Sequence, residues 1–205
     1  MKVKTVLAST LSVLLLSAVL PLQAATQTMI VAGGCFWCVE SDFEKVAGVL
    51  AAVSGYSGGN VKNPTYKAVA AEKTGHFEVV KISFDDQKVS LRTLADYFWK
   101  TIDPTDPNGQ FCDKGSPYKT AMFYQDETQK QVFEASLADV KTNKPFVAAI
   151  VTPILTAKPF YLAEDYHQDY YLKNPIRYRY YRTSCGRERK IEQLWGEVAS
   201  KKIDK

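Results

Sequence analysis

Apolar positions in this chain fall into runs whose period changes along its length. Thr28–Ala32 is an apolar stretch that predicts a buried strand, and Phe36, Val39, Phe43 and Val46 follow at helical spacing, predicting an amphipathic helix. Val49–Val53 predicts a second strand and Ser54–Asn60 a loop. Asn63-Pro64 then predicts the N-cap and first-turn proline of a short helix ending near Gly75, with Tyr66 in its first turn. Alternation over His76–Phe84 predicts a third strand, Asp85-Asp86 a turn, and Ser90 the cap of a helix whose apolar face is Leu91, Leu94, Phe98 and Ile102. A long loop spans Asp103–Tyr118, a strand follows at Thr120–Tyr124, and Asp126 with Gln129 opens another helix as a capping box. Phe146–Leu155 is β-rich, Tyr161–Leu172 is predicted helical, and Arg187–Lys202 is a basic amphipathic tail. The alternation lacks the regular spacing of a doubly wound sheet. It predicts an α+β fold, an elaborated two-layer sandwich around a split βαβ (ferredoxin-like) core.

The first 24 residues do not fit this pattern. Lys2 and Lys4 precede an apolar run from Val6 to Leu20, and Leu22-Gln23-Ala24 ends in a small residue suited to cleavage, so 1–24 reads as a signal peptide and the expected location is periplasmic or secreted. The run is short and interrupted by Ser and Thr, which argues against a membrane span. Residues 25–205 are read as a single catalytic domain, because no linker, repeat or low-complexity tract divides them. Losing Lys2 and Lys4 with the leader lowers the net charge from +4 to +2, too little to argue for nucleic acid or an anionic surface. The expected state is a monomer.

Chemistry concentrates at Gly33-Gly34-Cys35-Phe36-Trp37-Cys38-Val39-Glu40. A thiol at a helix N-terminus lies at the positive end of the macrodipole, so Cys35 is the expected nucleophile. Cys38, one turn along, is placed to resolve a sulfenic acid or mixed disulfide formed on Cys35. The glycines before them allow a tight turn and close approach of a substrate. Export would let disulfides persist, but a bond between residues three apart closes a small loop and stabilises little. A zinc site is not expected, since His76 and His167 have no finger-like spacing with the cysteines. An external dithiol is needed to reopen a Cys35–Cys38 bond, which implies a thioredoxin-like partner.

Glu78 shares a strand face with Val80, Ile82 and Phe84, and burial there would keep a carboxyl protonated for general-acid work; the alternative is a solvated strand start paired with a lysine. His76, beside Thr74-Gly75, reads more readily as a turn or core hydrogen-bonder. Phe36 and Trp37 flank the nucleophile and are candidates to line a pocket for a small apolar group. In the Asp103–Tyr118 loop, Asp113 and Tyr118 bring an acid and a phenol into a long connector of the kind that tends to carry function.

Together these residues resemble the A-type peptide methionine sulfoxide reductases from about Met29 to Pro175. The marks are Gly34-Cys35-Phe36-Trp37, Gly55-Tyr56-Ser57-Gly58-Gly59, Asn63-Pro64-Thr65-Tyr66, Thr74-Gly75-His76-Phe77-Glu78, Asp113–Tyr118 and Ala163-Glu164-Asp165-Tyr166-His167-Gln168. The resemblance implies reduction of the S-epimer of methionine sulfoxide, free or in oxidised proteins, with no metal or organic cofactor; with the leader, this would be repair of oxidative damage in exported proteins. By motif it makes Cys35 the nucleophile and Glu78 the acid. It has Tyr66 and Tyr118 hydrogen-bond the sulfoxide oxygen, Asp113 bind the methionine backbone, and Phe36 and Trp37 hold the S-methyl group.

The chain departs from that pattern at Cys38, where Gly is common, and at Cys112, where Asn is usual. Cys185 falls in a C-terminal region where relatives often keep recycling cysteines, so Cys112 and Cys185 are open to two readings: a structural disulfide, which we favour, or a second relay. A general thiol-disulfide oxidoreductase is the main alternative function, since C-x-x-C at a helix start is also the thioredoxin arrangement, although Phe-Trp between the cysteines speaks against it. A non-enzymatic exported binding module, using the Tyr-rich 161–181 stretch, is the third.

Overall fold

The computed structural model describes residues 26–196; the expected signal peptide at 1–24 and the end of the basic tail, 197–205, lie outside the described residues. Eight strands are present among the described residues: β1 (Thr26–Gly33), β2 (Val49–Ser57), β3 (Phe77–Asp85), β4 (Gly109–Gln110), β5 (Asp113–Lys114), β6 (Thr120–Tyr124), β7 (Ile154–Thr156) and β8 (Tyr161–Leu162). The helices are α1 (Phe36–Phe43), α2 (Tyr66–Ala70), α3 (Leu91–Trp99), α4 (Glu127–Asn143), α5 (Tyr170–Lys173), α6 (Pro175–Ser184) and α7 (Arg187–Trp195).

Six strands form one sheet in the order β7-β6-β1-β3-β2-β8. β3 is antiparallel to both β1 and β2, so β1 and β2 run parallel with β3 between them, joined by α1. Likewise β3 and β6 run parallel, separated by β1 and joined through α3. These two split βαβ units are the expected core, and β7 and β8 extend the sheet at either edge.

The sequence pattern explains the layers. Met29 and Val31 point into the larger core with Phe36, Phe43, Leu94, Phe98 and Phe133, while Ile30 and Ala32 point to the opposite face with Val79, Ala121 and Phe123. A strand apolar on both faces is therefore covered on both. Two predicted caps hold: Ser90 Oγ accepts the Thr93 N–H at 3.0 Å and Asp126 Oδ1 the Gln129 N–H at 2.8 Å. Gln129 Oε1 reaches back to the Gln125 N–H at 3.1 Å rather than to Asp126's own.

Five expectations shift. The stretch Phe146–Leu155, expected to be β-rich, is strand only at its end, where β7 pairs with β6. The strand predicted to stop at Val53 continues through Ser57, because Gly55, Tyr56 and Ser57 pair with Val79, Glu78 and Phe77. Thr65, not Asn63, caps α2; Asn63 has φ 46°, outside the helix. The Asp103–Tyr118 loop contains the β4–β5 hairpin and a 3-10 turn at Ser116–Tyr118. It is pinned by the fully buried Gln110, whose amide exchanges hydrogen bonds with the Asp103 backbone at 2.7 and 2.8 Å. The helix predicted over Tyr161–Leu172 is instead β8, a run of turns and α5, because Ala163 pairs with Ser54 and Asp169 adopts a left-handed φ of 53°.

Candidate active site

β1 ends on Gly33, and Gly34 makes the turn that sets both cysteines on α1. Gly34 has φ 81°, and a Cβ there would lie 2.5 Å from Gln110 Cβ, so the turn accepts only glycine. Cys35 is the N-cap residue of α1, its carbonyl accepting the Cys38 N–H at 3.1 Å. Cys35 is 6% exposed and Cys38 2%, and both thiols are free.

Glu78 lies across from Tyr56 on β2 and is 2% exposed, with Val80, Ile82 and Phe84 beyond it in the core. The Phe36 N–H, next along the chain from Cys35, donates to Glu78 Oε2 at 3.0 Å. Burial outweighs that bond and pushes the carboxyl up to about 8, so it carries a proton at neutral pH. The solvated reading of Glu78 is thereby excluded. The Tyr66 and Tyr118 phenols interact with each other near Glu78, and burial above all keeps both protonated.

The helix dipole does not win at Cys35. Burial, then the hydrogen bond to Cys38, raises its pKa well above the ordinary thiol value. Cys38 moves the other way, to about 7, through the hydrogen bond from Cys35 and the charges of Arg187 and Arg182, against the cost of burial.

The aromatic wall is built from distant segments. Trp37 Nε1 donates to His167 Nδ1 at 3.1 Å, and its ring stacks on Tyr170 with centroids 3.7 Å apart. Phe36, 1% exposed, lies 4.9 Å from the His167 ring and 6.5 Å from Tyr66. Since His167 Nδ1 accepts, its proton is on Nε2, which is buried without a protein partner among the described residues. Glu164 holds the frame together, accepting the Tyr56 hydroxyl at 2.7 Å and the Tyr66 N–H at 2.8 Å. Asp113 accepts the Tyr181 hydroxyl of α6.

All eight predicted inner-site residues, Cys35, Phe36, Trp37, Cys38, Tyr66, Glu78, Asp113 and Tyr118, thus meet where α1, β3, α2 and the 103–118 loop converge. Cys112 and Cys185 are bonded to one another beside Asp113.

The sequence model of the family described as peptide methionine sulfoxide reductase matches residues 27–199. The chain belongs to the peptide methionine sulfoxide reductase family. Membership makes it an oxidoreductase, a peptide-methionine (S)-S-oxide reductase. It is 50% identical over 181 residues to the peptide methionine sulfoxide reductase MsrA 2 of Rhizobium meliloti (strain 1021), covering 88% of this chain and 89% of that protein. It is 48% identical over 165 residues to MsrA of Bacillus subtilis (strain 168), covering 80% and 93%. Among solved structures, reduced Mxr1 from Saccharomyces cerevisiae superposes with TM-score 0.69 at 30% identity, over 73% of this chain and 86% of that one. Methionine sulfoxide reductase A of Corynebacterium diphtheriae gives 0.65 at 29%, over 77% and 81%.

Outside the inner site of this reductase, one sequence reading holds and other residues gain a place only from the fold. His76 is a turn hydrogen-bonder, its Nδ1 accepting the Gly59 N–H at 3.1 Å and Nε2 bonding Val61 O at 2.8 Å. Tyr56, Glu164 and His167 lay inside the motifs of the resemblance, but their partners are up to 130 residues away. Tyr170 and Tyr181 were visible only within the Tyr-rich 161–181 stretch and Arg187 only at the head of the basic tail, Arg182 carried no local signal, and nothing in the sequence pointed any of them at the thiols. Arg187, 2% exposed, reaches Thr101 O at 2.8 Å and lies 4.7 Å over the Phe111 ring.

Proposed function

We propose that this chain, exported and monomeric, reduces methionine S-sulfoxide through a Cys35 sulfenic acid and a Cys35–Cys38 disulfide. The observation that carries this reading is a protonated, buried Glu78 held by the peptide N–H next to Cys35, with two neutral phenols beside it. Phe36 and Trp37 hold the S-methyl group, Asp113 binds the substrate main chain, and Tyr66 and Tyr118 donate to the sulfoxide oxygen. Glu78 gives that oxygen its proton as the Cys35 sulfur attacks, and Cys38, which already accepts a hydrogen bond from Cys35, takes the Cys35 proton. The S–O bond of the substrate breaks and one to Cys35 forms, so methionine gains two electrons and Cys35 loses them. The Cys38 sulfur then attacks Cys35, an S–S bond replaces S–OH, and hydroxide leaves with the Cys38 proton as water. A thioredoxin-like dithiol restores the pair, becoming a disulfide itself. The leader supports export; with it, the work is repair of oxidised exported proteins.

Glu78→Gln tests this. Single-turnover methionine release should slow by roughly 10²-fold, the scale of lost general-acid help. The native rate should fall as pH rises through about 8, where Glu78 loses its proton, and the variant should lack that limb. Equal rates would sink the proton-donor role. Because the folded pKa lies above the ordinary value of 4.5, Glu78 costs stability as pH rises from there through about 8, so the variant should melt higher than the native protein at alkaline pH.

A further inference from the structure

Two of the side chains proposed to bind substrate are already occupied by the chain itself. Tyr181 of α6 puts its hydroxyl on the Asp113 carboxylate and its ring edge-on to Trp37 at 5.8 Å, while Tyr170 covers the Trp37 face. Cys185 caps α6 one turn after Tyr181, its N–H bonded to the Tyr181 carbonyl at 3.0 Å, and Cys112 immediately precedes Asp113. The Cys112–Cys185 bond and the Tyr181–Asp113 bond are therefore neighbouring rungs between one helix face and one loop.

We propose that α6 is a redox-latched lid: the closed Cys112–Cys185 bond holds Tyr181 in the substrate's place on Asp113 and Trp37, and reduction of that bond by an external dithiol opens the site. The proposal rests on the reading of Asp113 and Trp37 as substrate-binding. Access decides the order of events. A thiolate must approach a disulfide sulfur directly, and Cys35 and Cys38 are buried, whereas Cys112 is exposed and Cys185 borders a surface cavity of about 310 Å³ that Lys114, Arg189 and Lys190 also line. Asp103 and Asp106 line the same cavity and pair with Lys190 and Lys114, so it is the opening rather than the charge that admits an incoming dithiol. One donor sulfur bonds to Cys112 or Cys185 as the S–S bond breaks, the second donor sulfur displaces it, and two electrons and two protons pass to the pair while the donor becomes a disulfide. Arg187 keeps α7 anchored to Gly33 and Thr101 as Tyr181 withdraws. The same donor class thus unlocks the site and later recycles it.

The test compares protein whose Cys112–Cys185 bond is closed, verified by mass, with Cys112→Ser/Cys185→Ser and with Tyr181→Phe. Two rates are read: alkylation of Cys35 and Cys38 by iodoacetamide, and single-turnover methionine release from a sulfoxide-containing peptide. Both should rise about tenfold or more in the double variant, and in the same direction but less in Tyr181→Phe. Equal alkylation rates in closed and double-variant proteins of equal helicity overturn the lid. So does loss of dithiol-driven turnover in the double variant, which marks a relay instead. If the double variant does not fold, an unchanged Tyr181→Phe overturns it alone. Asp113→Asn with an unchanged KM sinks the substrate-binding reading, while alkylation still reports the lid.

Discussion

The two cysteine pairs of this molecule differ in every respect that sets thiol chemistry. Cys35 and Cys38 are three residues apart, buried and free, with Glu78 and two arginines acting on them. Cys112 and Cys185 are 73 residues apart, bonded, and reach the surface. Proximity in sequence makes a pair that can exchange a proton and close or open with little change in the fold. Separation in sequence makes a pair whose bond constrains a long loop of the unfolded chain, and whose opening frees an element. On the proposed mechanism the inner pair cycles while the outer pair holds.

The sharpest break of this comparison is to remove one inner thiol at a time. Cys35→Ser should release no methionine. Cys38→Ser should release about one per enzyme, more slowly than the native protein because the base that takes the Cys35 proton is gone, and then stop with a thioredoxin-type reductant, because the oxygen ends on the Cys35 sulfur while recycling needs both. Quantified methionine against enzyme concentration checks this. Multiple turnover in Cys38→Ser would make an outer cysteine the resolving one, and the division between the pairs would fail.

The outer pair should answer in stability. Opening a loop of this length by Cys112→Ser/Cys185→Ser should cost about 4 kcal/mol on the chain-entropy model, which lowers the melting temperature by roughly 10 °C for a domain of this size. Calorimetry without reductant reads the difference, and adding reductant to the native protein should reproduce most of it. An unchanged melting temperature would mean that the bond carries no structural load.

The asymmetry between the pairs also marks what was legible in the sequence. Motif and helical spacing were enough to place Cys35 and Cys38, because both signals are local. The core strands and the caps at Ser90 and Asp126 were legible for the same reason. The alternation of His76–Phe84 put Glu78 on the apolar face but left a solvated strand start open, and only the fold, with the Phe36 N–H on its carboxyl, buries it. Tyr161–Leu172 was misread because its aromatic and acidic residues follow a helical rhythm while Ala163, Glu164, His167 and Gln168 are committed to partners on β2, α1 and α2. Such long-range satisfaction leaves no period to read. The acidity of the inner pair was misjudged for a related reason: a helix dipole is visible in a sequence, but the C-terminal helices that bury the thiols are not.

Those helices supply the subtlest test of how the inner pair is tuned. Arg182 Nη1 lies 2.8 Å from Asp42 Oδ1 and 3.4 Å from the Cys38 carbonyl, and Arg187 is buried on the next helix with its Nε 3.8 Å from Asp42. Their positive charge helps hold Cys38 at about 7, while the hydrogen bond from Cys35 lowers it and burial and Asp42 oppose. An opposite charge favours the ionised form, so its removal must raise the pKa. Arg182→Gln should therefore move the midpoint of the Cys38 ultraviolet thiolate absorbance upward by less than about one unit, since Arg187 and the Cys35 hydrogen bond stay in place. At neutral pH this lowers the thiolate fraction several-fold at most and slows the step in which Cys38 takes the Cys35 proton. A midpoint that stays put, in a variant that melts like the native protein, would mean that α6 contributes to the site only by covering it.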